Sequence, residues 1–109
     1  MNYIREEKTG SAVRISVQEA GQEVGRIHVF FITNDLHDRP YALLEDLFVA
    51  ESQRNKGLGS QLVKEAVAVA KDRGCYKVIG TSRHSRETVH EFYQKLGFSN
   101  YGLEFRLDL

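Results

Sequence analysis

The hydrophobic pattern of this chain changes its period once, near residue 58, and that change limits the folds that it can adopt. Before it, apolar and polar residues alternate along residues 13–17 and 24–33, as in half-buried β-strands. After it, the spacing is that of one helical face, at Leu58, Leu62, Val63, Ala66, Val67 and Ala70. A chain of this kind combines an antiparallel meander with a right-handed parallel crossover.

The other elements follow from the same periods. Residues 41–50 and 76–81 predict strands on either side of the first helix, which Gly74 ends. A second helix is predicted with Ser85 as its N-cap and Gly97 at its end, from the spacing of Val89, Phe92, Tyr93 and Leu96. Residues 103–109 alternate cleanly and predict a last strand. The expected order is β-β-β-α-β-α-β, a mixed α/β (α+β) sheet in one domain spanning residues 1–109.

Composition excludes several classes of protein. The chain has 15 basic and 15 acidic residues, so it lacks the basic surplus with which nucleic-acid binders neutralise phosphate. Its one cysteine, Cys75, can form neither an intramolecular disulfide nor a cysteine-based metal site. No apolar run approaches the roughly 18 residues of a membrane span. We therefore expect a soluble, cytoplasmic protein without a metal, and neither a nucleic acid nor a membrane as its partner.

The segment that indicates a ligand is Gln53–Ser60, with the sequence QRNKGLGS, at the start of the first predicted helix. Gly57 and Gly59 allow close approach to the backbone, the helix start offers free N–H groups, and Arg54 and Lys56 add positive charge. Together these features suit a pyrophosphate. The spacing is neither that of a Walker P-loop nor that of a dinucleotide-binding G-x-G-x-x-G motif. A glycine-rich helix start without a ligand is the plainer alternative.

This segment resembles the R/Q-x-x-G-x-G/A signature of the GNAT superfamily of N-acetyltransferases. Glu45–Val49 looks like the central strand of that family, and Phe92–Phe98 looks like its late Tyr-containing, Gly-Phe-ending motif. The resemblance covers about residues 41–98 in the family's order. It implies a GNAT-like fold, with antiparallel N-terminal strands, a βαβ unit and a second helix, and acetyl-CoA as cosubstrate.

In this family acetyl-CoA lies where two parallel strands separate. The resemblance therefore implies that backbone groups of Phe48 and Val49 bind the pantetheine arm and the thioester, and that the Val49 amide supports the oxyanion. The pyrophosphate would be bound by Arg54 and by the amides of Asn55, Lys56, Gly57, Leu58, Gly59 and Ser60.

Two residues are the catalytic candidates. Tyr93 matches the family tyrosine that protonates the departing thiolate, although it also suits the edge of a core. Glu45 occupies the position of a family general base, although a solvated glutamate or a counter-ion for the substrate ammonium would look the same. Strand alternation predicts that Asp46, the fallback base, lies on the opposite face from Glu45. Arg83 and Arg86 are further candidates for CoA phosphate contacts, and His84 could reach the site.

The first 40 residues depart from the family, because they read as strands and loops where the family usually has a strand and two helices. We therefore expect a short form whose acceptor cleft is open or completed by a second subunit, which makes a homodimer possible. The expected reaction is acetyl transfer to a primary amine of a small molecule or a protein. The alternatives are an acyl-CoA-binding sensor or scaffold module without turnover, and an interaction domain that has lost its ligand.

Overall fold

The computed structural model describes residues 1–109, and its regular elements lie between Ser11 and Lys95. The chain forms three long strands, a helix, a short strand and a second helix. These are β1 (Ser11–Glu19), β2 (Gln22–Ile32), β3 (Tyr41–Val49), α1 (Leu58–Asp72), β4 (Val78–Ile79) and α2 (Glu87–Lys95), with a short 3₁₀ turn at Glu51–Gln53.

One sheet contains all four strands in the order β1-β2-β3-β4. The first two pairs are antiparallel, and β4 lies parallel to β3 after the crossover through α1. Ala20 and Gly21 form the tight turn between β1 and β2. Both have positive φ, which a two-residue turn needs if its twist is to match that of the two strands. The predicted mixed sheet, with an antiparallel meander and a βαβ unit, is confirmed.

The core lies between one face of the sheet and α1. Ile27 and Val29 of β2 are fully buried against Leu62 and Val63 of α1. The alternation of β2 supplies one apolar face, and the helical spacing of α1 supplies the other, as the sequence predicts. The opposite face of the sheet has no helix on it. This face, called the open face below, carries Glu45, one of the candidate site residues.

Both helices end in the same way. At the end of α1 the Gly74 amide donates to Lys71 and the Cys75 amide to Ala70, with Gly74 at φ 74°. This Schellman pattern needs a left-handed residue just beyond the helix, which glycine adopts without strain. Gly97 has the same role after α2, at φ 94°. The two predicted helix ends are therefore confirmed.

The predicted last strand is wrong. Residues 103–109 form no regular structure, and Leu103, Phe105 and Leu107 are 68%, 89% and 83% exposed. Alternation shows that a segment suits a half-buried strand, but a strand forms only where it meets a partner edge and a face to cover. Here this C-terminal segment meets neither.

Two predicted boundaries also differ from the structure. Only Val78–Ile79 of the predicted strand at 76–81 forms regular strand pairing with β3, although the Tyr76 amide also donates to the Pro40 carbonyl and the Ala42 amide to the Lys77 carbonyl. The N-cap of α2 is Arg86 instead of Ser85, and no side chain caps the helix. Neither helix is both long and apolar enough to cross a membrane.

Candidate functional site

The turn before α1 exposes a row of free backbone donors. The N–H groups of residues 55–60 have no hydrogen-bond acceptor in the protein, and the first amide of α1 that is satisfied internally is that of Gln61, which donates to Gly57. The start of a helix also carries the positive end of its dipole. Residues 55–60 of the predicted pyrophosphate segment therefore present a continuous run of free donors, an arrangement that suits an anion.

Backbone conformation produces this row. Asn55 and Gly57 both have left-handed φ values, 64° and 82°, so the chain turns sharply twice before the helix begins. Asparagine tolerates that region better than most residues, and glycine adopts it freely. Gly57 is the N-cap residue and no side chain caps the helix, so its first amides stay open.

Arg54 and Lys56 flank these donors, and both are exposed. The Arg54 Nε donates to the Val49 carbonyl at 3.2 Å, which ties the turn to the end of β3. Lys56 forms no ion pair with the protein. Arg54 therefore holds the strand end and the turn together while adding positive charge beside the free amides.

The second part of the site is the edge of β3. Only Ala42 and Leu43 pair with β4, so no strand covers that edge along residues 44–49. An extended ligand with amide groups can hydrogen-bond to such an edge as a strand would. Phe48 and Val49 lie on this uncovered part, and a Cβ placed on Gly59 would lie 3.7 Å from Val49 Cγ2, so the edge leads directly to the turn.

Tyr93 lies on α2 and packs over Gly80, just after β4. A Cβ on Gly80 would lie only 2.9 Å from Tyr93 Cε1, so the aromatic ring occupies the space that any other residue would fill. The rings of Phe92 and Phe98 pack edge-on against the Tyr93 ring, with ring centres 5.3 and 5.2 Å from its centre. Burial raises the pKa of the phenol, and the negative charge of Glu45 raises it further. Tyr93 is therefore a protonated group within the electrostatic reach of Glu45.

The end of α2 explains how Tyr93 is held. The Phe98 amide donates to the Tyr93 carbonyl at 3.0 Å, and the two rings pack together. A contact between these two positions commonly accompanies a Schellman motif. The Gly97–Phe98 pair thus fixes the residue whose ring closes the end of β4.

Glu45 lies on the open face of the sheet, opposite His28 of β2. Its carboxylate is exposed and borders a shallow groove whose other walls include Ala12, Phe30 and Leu43. The structure therefore places a carboxylate beside apolar side chains and open space. The negative charge of this carboxylate raises the pKa of Tyr93.

The predicted placement of Asp46 on the opposite face is wrong. A bulge breaks the alternation of β3, and Asp46 has a left-handed φ of 58°. Its carboxylate consequently meets Arg26 at 2.8 Å and His28 at 3.3 Å, both on the face that also carries Glu45. The Arg26 guanidinium lowers the pKa of Asp46, with a smaller contribution from His28. A carboxylate held in this way is a weaker base, which argues against Asp46 as the fallback.

The remaining candidates lie at the margin. His84, Arg83 and Arg86 are exposed in the connection between β4 and α2, and the Arg83 carbonyl bonds the ring of His90. Cys75 packs against the core, and burial raises the pKa of its thiol, which disfavours the thiolate. Nowhere in residues 1–109 do three His, Cys, Asp or Glu side chains gather closely enough to hold a metal ion.

The sequence analysis missed the charged cluster beside Glu45. Arg14 of β1 is paired with Glu23, and Glu23 also contacts Arg26, which in turn holds Asp46. Arg14, Arg26 and His28 alternate with apolar residues in the two first strands, so the same alternation that predicted those strands could have placed them on one face. Gly80 was also missed, because its role depends on a contact with Tyr93 that is distant in sequence.

Comparison with curated proteins finds N-acetyltransferases that match a little over half of this chain. The glucosamine 6-phosphate N-acetyltransferase of Trypanosoma brucei brucei is 41% identical over 66 residues, which are 61% of this chain and 43% of that protein. The chain therefore spans less than half the length of the curated relative.

Solved structures agree with the fold. An acetyltransferase of Trypanosoma brucei superposes with a TM-score of 0.80 at 32% identity, over 90% of this chain and 69% of that one. The glucosamine-6-phosphate N-acetyltransferase of Arabidopsis thaliana gives a TM-score of 0.79 at 26% identity, over 89% of this chain and 66% of that one. The profile of the acetyltransferase (GNAT) family matches residues 2–98. With the free amides before α1 and the uncovered edge of β3, this match shows that the chain belongs to the acetyltransferase (GNAT) family.

Proposed function

We propose that this protein transfers the acetyl group of acetyl-CoA directly to a primary amine. The observation that carries the proposal is the row of unpartnered N–H groups at residues 55–60, beside Arg54 and Lys56. Such a row suits the diphosphate of CoA, because several backbone donors and a helix start can share its negative charge. Family membership supports acetyl-CoA as the cosubstrate.

The proposed binding mode follows the shape of the site. The amides of Asn55, Lys56, Gly57, Leu58, Gly59 and Ser60 bind the diphosphate, with Arg54 beside them. The pantetheine arm, which contains two amides, lies along the uncovered edge of β3 and bonds to Phe48 and Val49. The thioester then lies near the separation of β3 and β4, within reach of the Tyr93 phenol.

The proposed chemistry needs one base and one acid. Glu45, directly or through a water, takes the proton of the acceptor ammonium, and the neutral amine attacks the thioester carbonyl carbon. The Val49 amide stabilises the resulting oxyanion. The carbon–sulfur bond then breaks, and Tyr93 donates its proton to the CoA thiolate. The nitrogen gives its second proton to the Tyr93 phenolate, directly or through a water, and Glu45 releases the first proton to solvent. The products are an N-acetyl amide and CoA, with Tyr93 and Glu45 restored.

The relatives suggest which acceptor to test first. The curated relative is described as a glucosamine 6-phosphate N-acetyltransferase, and so is one of the similar structures. We therefore propose a small amine, with amino sugar phosphates as the leading class. We propose further that residues 1–109 form one catalytic domain that acts in the cytoplasm, alone or as a homodimer.

The proposal can be tested by calorimetry followed by a thiol-release assay. We expect saturable binding of acetyl-CoA and of CoA, and no comparable binding of NADH or ATP. Release of CoA should depend on the acceptor, with glucosamine 6-phosphate compared against glucosamine, a polyamine and a lysine peptide. A folded protein that does not bind acetyl-CoA would overturn the proposal. Binding without turnover on any amine would favour the sensor or scaffold alternative.

A further inference from the structure

The bulge in β3 separates the two parts of the strand that the proposed reaction uses. His28 pairs with Glu45, but its second neighbour Arg26 pairs with Phe48, so Asp46 and Leu47 stand opposite Ile27. Glu45, the proposed base, therefore lies just before the bulge, and Phe48, at the proposed thioester site, lies just after it. The shape of the bulge sets their relative positions.

That shape is not favoured by the backbone itself. Asp46 has a φ of 58°, a left-handed value that costs a residue with a side chain about 1–3 kcal/mol and persists only where the surrounding structure holds it. A contact made to Asp46 from outside β3 can offset that cost.

Arg26 contacts both sides of the bulge. Its Nε and Nη2 donate to the two carboxylate oxygens of Asp46, at 2.8 and 3.2 Å. The same guanidinium lies over the ring of Phe48, with Cζ 4.7 Å from the ring centre. Glu23 approaches a third nitrogen at 3.6 Å, and Arg14 holds Glu23 at 2.7 Å. One planar group thus binds the residue inside the bulge and the residue that ends it.

We propose that Arg26 is a positioning residue for acetyl transfer, because it fixes the bulge that sets Glu45 and Phe48 relative to the thioester. This inference rests on the proposed function. Arginine suits the role, since its fork binds a carboxylate through two nitrogens while its flat face stacks on an aromatic ring. Lysine carries the same charge but cannot do both.

The test uses Arg26→Gln and Arg26→Lys, with Arg14→Gln as the matched control. We expect kcat to fall about tenfold to 100-fold in both Arg26 variants, the scale of a modest misplacement of reacting groups. The dissociation constant of CoA should change far less than kcat, because the free amides of residues 55–60 that bind the diphosphate do not contact Arg26. Arg14→Gln removes only the outer ion pair of the cluster and should leave kcat within about twofold.

Two further measurements separate positioning from stability. Backbone NMR should show shifted amide signals at Glu45 and Phe48 in Arg26→Gln and not in Arg14→Gln, at a temperature where both are folded. Adding Asp46→Asn to Arg26→Gln should cause little further loss of kcat, because the two residues act as a unit. Unchanged kcat in folded Arg26→Gln would overturn the inference. A wild-type protein that does not bind acetyl-CoA would overturn the proposed function and this inference with it.

Discussion

Tyr93 shows how an ordinary phenol is kept protonated. Its ring is enclosed by Gly80, Phe92 and Phe98, and burial together with the charge of Glu45 raises its pKa. A raised pKa favours the neutral form in the folded state, so this contribution to stability is complete below the ordinary value near 10. It is lost as the pH rises through the higher folded value. The phenol therefore remains a proton donor at neutral and mildly alkaline pH.

Removing only the hydroxyl tests this assignment. We expect Tyr93→Phe to lower kcat by about 10²–10⁴, the usual contribution of a positioned acid, because the ring packing remains while the proton is gone. Steady-state kinetics and calorimetry would measure the effect, with acetyl-CoA affinity nearly unchanged. An ultraviolet difference titration should lose its last-titrating tyrosine in the variant. A kcat equal to that of the wild type would make Tyr93 a packing residue only.

At the scale of elements, the Arg54 side chain has two roles in the turn before α1: it joins the turn to β3, and it leaves charged donors free. Arg54 bonds to the end of β3 through Nε, and its two terminal nitrogens form no hydrogen bond or ion pair with the protein. A phosphate held there would gain a charge-assisted bond, which typically contributes about 1.5–3 kcal/mol.

Arg54→Ala should therefore weaken binding of CoA about tenfold or more, and should weaken binding of acetyl-pantetheine, which lacks the diphosphate, much less. Calorimetry with both ligands measures the difference. Arg39→Ala, which removes another exposed arginine, serves as the control for net charge. Equal losses for the two ligands would mean that Arg54 acts only by holding β3.

The contact between Gly80 and α2 gives a second prediction at this scale. A methyl group at Gly80 would lie 2.9 and 3.0 Å from Tyr93 Cε1 and Cζ, so the ring must move. We expect Gly80→Ala to lower kcat about tenfold to 100-fold and the free energy of unfolding by about 1–3 kcal/mol. Gly102→Ala meets no atom within 4 Å and should change neither. If Gly80→Ala retained full activity, the observed position of the Tyr93 ring would not matter for catalysis.

Local signals predicted most elements and the parts of the site that depend on them. The two periods predicted the sheet and both helices, and the glycines predicted both helix ends and the donor turn. Features that depend on contacts between residues distant in sequence were not predicted. The bulge at Asp46 arises from the pairing of β3 with β2, the Gly80–Tyr93 contact joins two elements, and the alternation of residues 103–109 does not show whether a partner strand exists.

At the scale of the whole molecule, the ligand should contribute to stability. The amides of residues 55–60 have no hydrogen-bond partner within the protein, and β4 leaves residues 44–49 of β3 uncovered. A ligand that binds only the folded state stabilises it according to its concentration relative to Kd, by about 2.7 kcal/mol at 100 times Kd.

For a domain of this size, that gain corresponds to a rise in Tm of roughly 10–20 °C. We expect differential scanning fluorimetry to show such a rise with saturating acetyl-CoA, increasing with its concentration. ATP at the same concentration is the control, because it offers phosphates without a pantetheine arm. An identical rise with ATP would mean that the site recognises phosphate alone.

The two helices are anchored very differently, and this has a consequence for when each half of the site is present. Helix α1 is anchored in the core by four buried side chains, whereas α2 has none. The four are Leu62, Val63, Ala66 and Ala70. Segments with little buried surface open more often than the core does. Amide hydrogens of α2 should therefore exchange with solvent well before those of α1. CoA bound at the free amides before α1 would then stay in place while the segment that carries Tyr93 opens and closes, so that the proposed acid would be in position for only part of the time.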